Sequence, residues 1–270
     1  MDRSDGKNVL IDAVREINPV NLLNAVKKGA YIDVCNRFPD HFPFSSFHIF
    51  IEERTDDTLT NEFTAMFQSI TSDEIMPTTT HCIVKTGQED IFETDDINLL
   101  SWIFNGVIIV KESWMTDCLK NKKLISKDCN YLVEKVKFKG IVYDTVLQWS
   151  NAMAKGTIPY LYGVHVVMVM KQCPNVTTLV AIITNQGGTI LDKFPEKENY
   201  NRGAHPYLHN NLGPIFLIHD GTVDLKVYQN DPDRLFTIFT ETELLMFLLK
   251  REININTNPN PVPILVDGDD

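Results

Sequence analysis

Cysteine is scarce and never clustered: the five in 270 residues are Cys35, Cys82, Cys118, Cys129 and Cys173, and no CxxC pair occurs. That scatter argues against structural zinc and against a disulfide framework, and it fits a reducing compartment. Long apolar runs are missing as well. None approaches the roughly 20 residues of a membrane-spanning helix, and the start carries no signal-peptide pattern, so no membrane partner is expected. Cations are in deficit, with 25 Lys and Arg against 36 Asp and Glu and a formal net charge of -11. Such a balance disfavours a whole-chain grip on nucleic acid phosphates, while leaving room for a local basic patch.

The signatures of common catalytic sites are absent too. The chain has no GxGxxG, no GxxxxGK[ST] and no GxSxG. Gly187-Gly188 follows a helical pattern instead of opening one, so it cannot cradle a phosphate at a helix N-terminus. His205 and His209 have a spacing that could ligate zinc, but no cysteine or acidic partner stands nearby, and both are expected to lie exposed in a polar insertion. Cys82, next to His81 in an apolar run, is expected to be inert packing, because reactive thiols need an exposed, electropositive setting. The expectation is a chain that is not an enzyme and holds no metal or cofactor.

What is present centres on Thr80 to Lys123. His81-Cys82-Ile83-Val84 suits a buried strand, and Ile97, Leu100 and Ile103 or Phe104 fall at helical spacing. Asn105-Gly106 ends that helix, because Gly or Asn accepts the left-handed conformation there. Val107 to Val110 is a second strand, rich in β-branched residues, and Ser113 can cap a helix carrying Trp114, Cys118 and Leu119. Apolar strands joined through a helix imply a parallel sheet. Thr80-His81, Asn105-Gly106 and Trp114 with Cys118 four residues on, in this order, resemble a BRCT repeat. That resemblance implies a four-stranded parallel sheet in the order 2-1-3-4, flanked by helices, the first strand being Phe47 to Ile51 and the first helix carrying Leu59, Phe63, Phe67 and Ile70.

Other stretches extend the pattern. Residues 5–36, with Asp5-Gly6, the pair Leu22-Leu23 and Gly29-Ala30, resemble one divergent ankyrin repeat, which cannot bury its own face without a neighbour. Val142, Val146, Trp149 and Met153 predict a connector helix in which Trp149 is a packing anchor. Val164 to Met170, a helix over 176–185, Gly187-Gly188 and a strand from Thr189 resemble the front of a second BRCT repeat. No Trp stands there where Trp114 stands in the first, and Leu244 is the nearest equivalent. The expected α/β organisation is therefore an ankyrin-like repeat over 1–37, a linker over 38–46, a first BRCT repeat over 47–133, an inter-repeat linker helix within 134–160, a second BRCT repeat over 161–255 and a disordered tail over 256–270. Gly106, Trp114, Cys118, Trp149, Gly187 and Gly188 are its structural residues.

An ankyrin repeat ahead of a BRCT pair is similar to the C-terminal region of ankyrin–BRCT subunits of RING-type ubiquitin ligases. That resemblance implies a nuclear, non-catalytic DNA-damage-response module, whose parent heterodimerises through a RING absent from this chain. It also implies two binding modes. Tandem BRCT proteins commonly hold a phosphoserine with a Ser or Thr and a Gly after the first strand and a Lys in the second helix, since a dianion needs aligned donors and a cation. Here those positions hold Glu52, Glu53 and Asn98, which leaves the pocket degenerate. Arg54, Thr55 or Lys111 would have to take over the phosphate contacts of a phosphorylated repair protein. The second mode uses Lys120, Lys122, Lys123, Lys127, Lys135, Lys137 and Lys139, a basic run in an acidic chain, to meet a nucleosome, histone or ubiquitinated chromatin. A rival of another class is an α/β enzyme of unrecognised type.

Overall fold

The computed structural model describes residues 47–68, 70–72, 78–125, 131–171, 173–201 and 203–255. The ankyrin-like repeat, the 38–46 linker, the C-terminal tail and Lys127 lie outside the described residues. The chain divides into two compact units. Of the described residues, the first takes those up to Glu93 together with those of Gly106–Lys137 and Val146–Thr157, and the second takes Thr94–Asn105, Phe138–Thr145 and those from Ile158 onward.

In the first unit, strands β1 (Ile49–Ile51), β2 (Thr71–Ser72), β3 (His81–Val84) and β5 (Ile108–Lys111) form an all-parallel sheet in the order β2-β1-β3-β5. Helix α1 (Asp57–Met66) is opened by Asp56, whose carboxylate accepts from Leu59 N–H. Helix α3 (Ser113–Asn121) follows β5 and ends at Lys122, which adopts the left-handed conformation (φ 53°). Phe63, Trp114, Met115 and Cys118 of these helices pack with Ile49, Ile83, Ile108 and Val110 of the strands into one core. Burying such side chains stabilises by about 1.5–3 kcal/mol each. A short strand β4 (Phe92–Glu93) pairs in parallel with the start of β6 (Val136–Phe138).

Trp114 and the Thr80-His81 pair have a definite local purpose. The Trp114 indole lies nearly parallel to the His81 ring, 6.0 Å between centroids and 15° between planes, and its Nε1–H donates to Ile125 O at 3.0 Å. Thr80 Oγ1 lies 2.8 Å from His81 Nδ1 and accepts from His48 N–H, stitching the start of β1 to β3. Helix α4 (Val146–Lys155) buries Trp149. Val142, expected on that helix, instead stands exposed on strand β7 (Ile141–Tyr143), because Asp144 and Thr145 interrupt the helical pattern before it starts.

The second unit repeats the sheet logic. Strands β8 (His165–Val169), β9 (Thr189–Leu191), β10 (Ile215–His219) and β11 (Phe236–Thr240) form a sheet in the order β11-β10-β8-β9, again all parallel. Counted along this unit, that is the order 2-1-3-4 read from the other edge. Helices α5 (Val176–Asn185), α6 (Lys226–Gln229) and α7 (Glu241–Lys250) accompany it. Thr240 and Glu243 build a reciprocal capping box at the start of α7, and Leu244, expected as the nearest equivalent of Trp114, is buried.

Helix α2 (Ile97–Phe104) belongs to this second unit, although it connects β3 to β5 in sequence. It packs against α5 and is fastened by three polar contacts: Thr178 Oγ1–H to Asn98 Oδ1 at 2.8 Å, Asn185 Nδ2–H to Asn105 Oδ1 at 3.1 Å, and buried Gln186 Nε2–H to Phe104 O at 2.8 Å. The 192–213 stretch, read as a polar insertion, places Tyr200 and Ala204 in the core with Val167, Ile215 and Leu235.

Candidate interaction site

In open parallel sheets ligands meet the carboxyl ends of the strands. At that end of the first sheet the chain leaves β1 through Glu52, Glu53, Arg54 and Thr55, leaves β3 through Lys85, and leaves β5 at Lys111 and Glu112. Glu52 N–H bonds Ile83 O at 2.9 Å and Glu112 N–H bonds Val84 O at 3.0 Å, so both acidic residues flank the end of β3.

Glu52 is buried, and its side chain is only 4% exposed. One carboxylate oxygen accepts from Arg54 Nε–H at 2.5 Å, while the other, Oε2, is buried without a hydrogen-bond partner. The Arg54 guanidinium is half exposed, donates to Glu93 O at 2.9 Å and lies 5.4 Å over the Phe92 ring. Thr55 is buried and its hydroxyl donates to Glu52 O at 2.7 Å. Lys111 Nζ sits 2.6 Å from Asp90 Oδ2. Asp90 and its neighbour Glu89 both hold left-handed backbone (φ 59° and 58°), an unfavoured conformation for non-glycine residues.

The three substitute phosphate contacts are thus already engaged within the chain. Arg54 and Lys111 are matched by carboxylates, and the Thr55 hydroxyl serves its own turn. Asn98, expected where a phosphate-binding Lys would stand, accepts from Thr178 within the second unit.

The lysine run divides. Lys120, Lys122 and Lys123 are exposed around the last turn of α3, where cations also complement the helix dipole. Lys135 is half-buried. Lys137 Nζ pairs with Glu93 at 3.0 Å and Lys139 Nζ with Asp95 at 3.1 Å. The backbone N–H and side chain of Lys139 together hold the Asp95 carboxyl below its ordinary range. Lys139 lies in the second unit and the other described members of the run lie in the first.

The structural residues fall where close approach requires them. Gly106 has φ +72°, and a Cβ there would stand 2.6 Å from Met153 Cβ. Gly187 has φ +83°, with Pro159 Cβ 2.8 Å from the same imagined atom, and a Cβ on Gly188 would meet Ile183 Cγ2 at 2.8 Å. Cys82 and Cys118 are fully buried. Burial, with Glu52 adding to it, raises the Cys82 thiol well above its ordinary range, and burial pushes Cys118 up to about 12, so neither is a thiolate near neutrality.

One histidine expectation is corrected. His209 is buried, not exposed: its Nε2–H donates to Tyr160 O at 2.8 Å and its ring meets Tyr160 edge-on at 4.6 Å. Burial lowers its pKa. His205 is half-buried, its Nδ1 lying 3.0 Å from Pro206 O. His209 works as packing because the stretch that carries it folds onto the sheet. The buried Glu52 carboxylate, by contrast, was visible in the sequence only as a departure from an expected Ser or Gly.

Residues 39–119 match the model of the BRCA1 C Terminus (BRCT) domain. Over its whole length the chain is 52% identical to an ankyrin repeat-containing protein of Caenorhabditis elegans, of which it spans 30%. Among solved structures it is similar to the BRCT5-BRCT6 domains of Brc1 from S. pombe, with 15% identity, coverage of 77% of this chain and 94% of that one, and a TM-score of 0.48. A fragment of Rtt107p aligns at 11% identity over 84% of this chain and 94% of that one, with a TM-score of 0.47. Rtt107p has also been solved in complex with a phosphorylated histone; that chain aligns at 11% identity over 80% of this chain and 91% of its own, with a TM-score of 0.44.

Proposed function

We propose that this chain is the BRCT-bearing part of a non-catalytic interaction protein that places a DNA-damage-response complex on chromatin, with plain or ubiquitinated nucleosomes as the partner. The reading extends to a nuclear RING-type ubiquitin ligase whose ankyrin–BRCT subunit resembles the RING-domain partner of the breast-cancer-susceptibility ligase. The ankyrin-like repeat over 1–37, the second BRCT repeat over 161–255 and the RING heterodimer of the parent belong to this proposal.

The observation that carries it is the state of the strand-end pocket in the BRCT domain. The carboxylate of Glu52 occupies Arg54, and Asp90 occupies Lys111. A phosphoserine dianion arriving there would meet carboxylates at the cations it needs. That favours a partner other than a conventional phosphopeptide. The exposed Lys120, Lys122 and Lys123 supply the surface for DNA phosphates or the acidic face of a nucleosome. Replacing these three lysines by Glu tests the reading: nucleosome binding should fall about tenfold or more while the melting temperature stays within a few degrees. Unchanged nucleosome binding by a folded variant would refute the assignment of this surface.

A further inference from the structure

Helix α3 ends in a turn that lysine does not favour. Lys123 N–H donates to Cys118 O at 3.2 Å and Lys122 N–H to Leu119 O at 3.1 Å, the two bonds of a Schellman closure. In that closure the residue after the helix takes left-handed backbone, and Lys122 does so with φ 53° and ψ 31°. Glycine is the usual occupant, because a Cβ adds a steric cost there. A long side chain held on a sparsely populated backbone points to a use for that side chain.

The helix end itself does not need the lysine side chains. Cys118 O and Leu119 O are satisfied by backbone donors, and Asp117 O accepts from Asn121 Nδ2–H at 2.7 Å. Lys120, Lys122 and Lys123 are all exposed, and among the described residues none of the three pairs with a carboxylate. Two other left-handed cations do have partners: Lys139 Nζ meets Asp95 at 3.1 Å, and the Arg251 guanidinium lies 5.5 Å over the Tyr160 ring. The Asp117 carboxylate, one turn back from Lys120, is engaged by the Tyr131 O–H at 2.5 Å. Glu112 stands at the far end of the nine-residue helix, about 13 Å away. Three uncompensated positive charges therefore fall within four consecutive residues of a chain whose net charge is -11.

We propose that this lysine turn binds the phosphate backbone of duplex DNA without reading its sequence, and that Lys122 is a phosphate-binding residue. This role rests on the chromatin reading of the three lysines and narrows their partner to the DNA of the particle. Side-chain chemistry selects DNA over an acidic protein face. Carboxylates are gripped best by the planar fork of arginine, which makes two parallel bonds, and the turn holds no arginine. Lysine is a compact point charge, suited to the diffuse charge of a phosphate backbone, where each neutralised phosphate releases counterions. With a negatively charged chain behind them, three such contacts give weak binding that salt readily abolishes.

The test is fluorescence anisotropy of the whole chain with two labelled DNA duplexes of unrelated sequence across a salt series, beside plain nucleosomes. Three phosphate contacts predict a slope of log K against log salt of about −2.7, equal for both duplexes. Lys122→Gly should flatten the slope by about 0.9 and weaken binding about fivefold at about 0.15 M salt. It should also raise the melting temperature, because glycine suits left-handed backbone. Lys122→Arg should keep the slope. Opposite signs on binding and stability separate a binding lysine from one that only complements the helix dipole, whose loss would lower the melting temperature. An unchanged slope for Lys122→Gly, a fall in its melting temperature, or a strong preference for one duplex would each overturn the proposal. Nucleosome binding that needs the three lysines, with no affinity for either duplex, would overturn it too and leave the chromatin reading standing. Duplex binding through the three lysines, with nucleosome binding indifferent to them, would refute that reading instead and leave the DNA contact.

Discussion

Replacing Trp114 by Ala should destabilise the first unit by about 3–5 kcal/mol, the range for deleting a large core aromatic. The structure allows that figure to be divided. Trp114 is 4% exposed and sits among Phe63, Ile83, Val110 and Cys118, with its ring 6.0 Å from both the Phe63 and His81 rings. The offset aromatic contacts contribute about 0.5–1.5 kcal/mol beyond area burial. The Nε1–H bond to Ile125 O adds about 1 kcal/mol, and more if that carbonyl is left buried without a donor. A series to Phe, Leu and Ala separates these parts. Trp114→Phe loses the hydrogen bond and some volume and should cost about 1–3 kcal/mol, and the Ala variant should be the least stable. Urea unfolding followed by circular dichroism and by tryptophan fluorescence gives the free energies. A Trp114→Ala variant within about 1 kcal/mol of the parent chain would refute the packing account and, with it, the use of Trp114 as the anchor of the first unit.

Other consequences can be checked by the same unfolding measurements. Gly106→Ala forces a Cβ into left-handed backbone against Met153 Cβ and should cost about 2–4 kcal/mol; pairing it with Met153→Ala, which removes Cγ but keeps Cβ, should recover only a minor part of that cost. Burial lowers the His81 pKa from 6.5 to about 3, so the folded chain excludes a proton that the unfolded chain binds. His81 therefore stabilises fully above pH 6.5, and this contribution is lost by about 1.4 kcal/mol per pH unit as pH falls from there towards 3. A His81→Phe variant should show a shallower decline between about pH 7 and pH 5, whereas an identical slope would contradict it. Thr178→Ala removes the donor to Asn98 and should cost about 0.5–1.5 kcal/mol in the second unit without altering nucleosome binding.

The residues that made the fold of the first unit legible are those whose chemistry is tied to one backbone demand. Asn105-Gly106 announced a left-handed helix end, and Gly106 has that φ. Trp114 with Cys118 announced two positions on one helix face, and both are buried in the same core. The degenerate pocket could be read as a mismatch of residue types at Glu52, Glu53 and Asn98. What could not be read was that Glu52 would be buried and tied to Arg54, because a two-residue ion pair at a strand end leaves no periodic signal. The 192–213 stretch misled for a different reason. Its apolar residues Tyr200, Ala204 and Leu208 are widely spaced among polar ones, so neither helical nor strand periodicity marks them, yet each is buried, and His209 beside them is satisfied by a backbone carbonyl. Helix α2 carried a correct helical pattern, but its partner α5 lies some 80 residues away, and contacts that distant are not encoded in local spacing.

The most direct test of the account is a side-by-side titration of the purified chain with plain nucleosomes, ubiquitinated nucleosomes and a phosphoserine peptide library across a salt series. The account predicts salt-sensitive nucleosome binding, stronger on the ubiquitinated particle, and no phosphate-dependent peptide binding. Phosphate-dependent peptide binding without nucleosome affinity would contradict it, and would mean that a phosphate displaces Glu52 from Arg54 and Asp90 from Lys111.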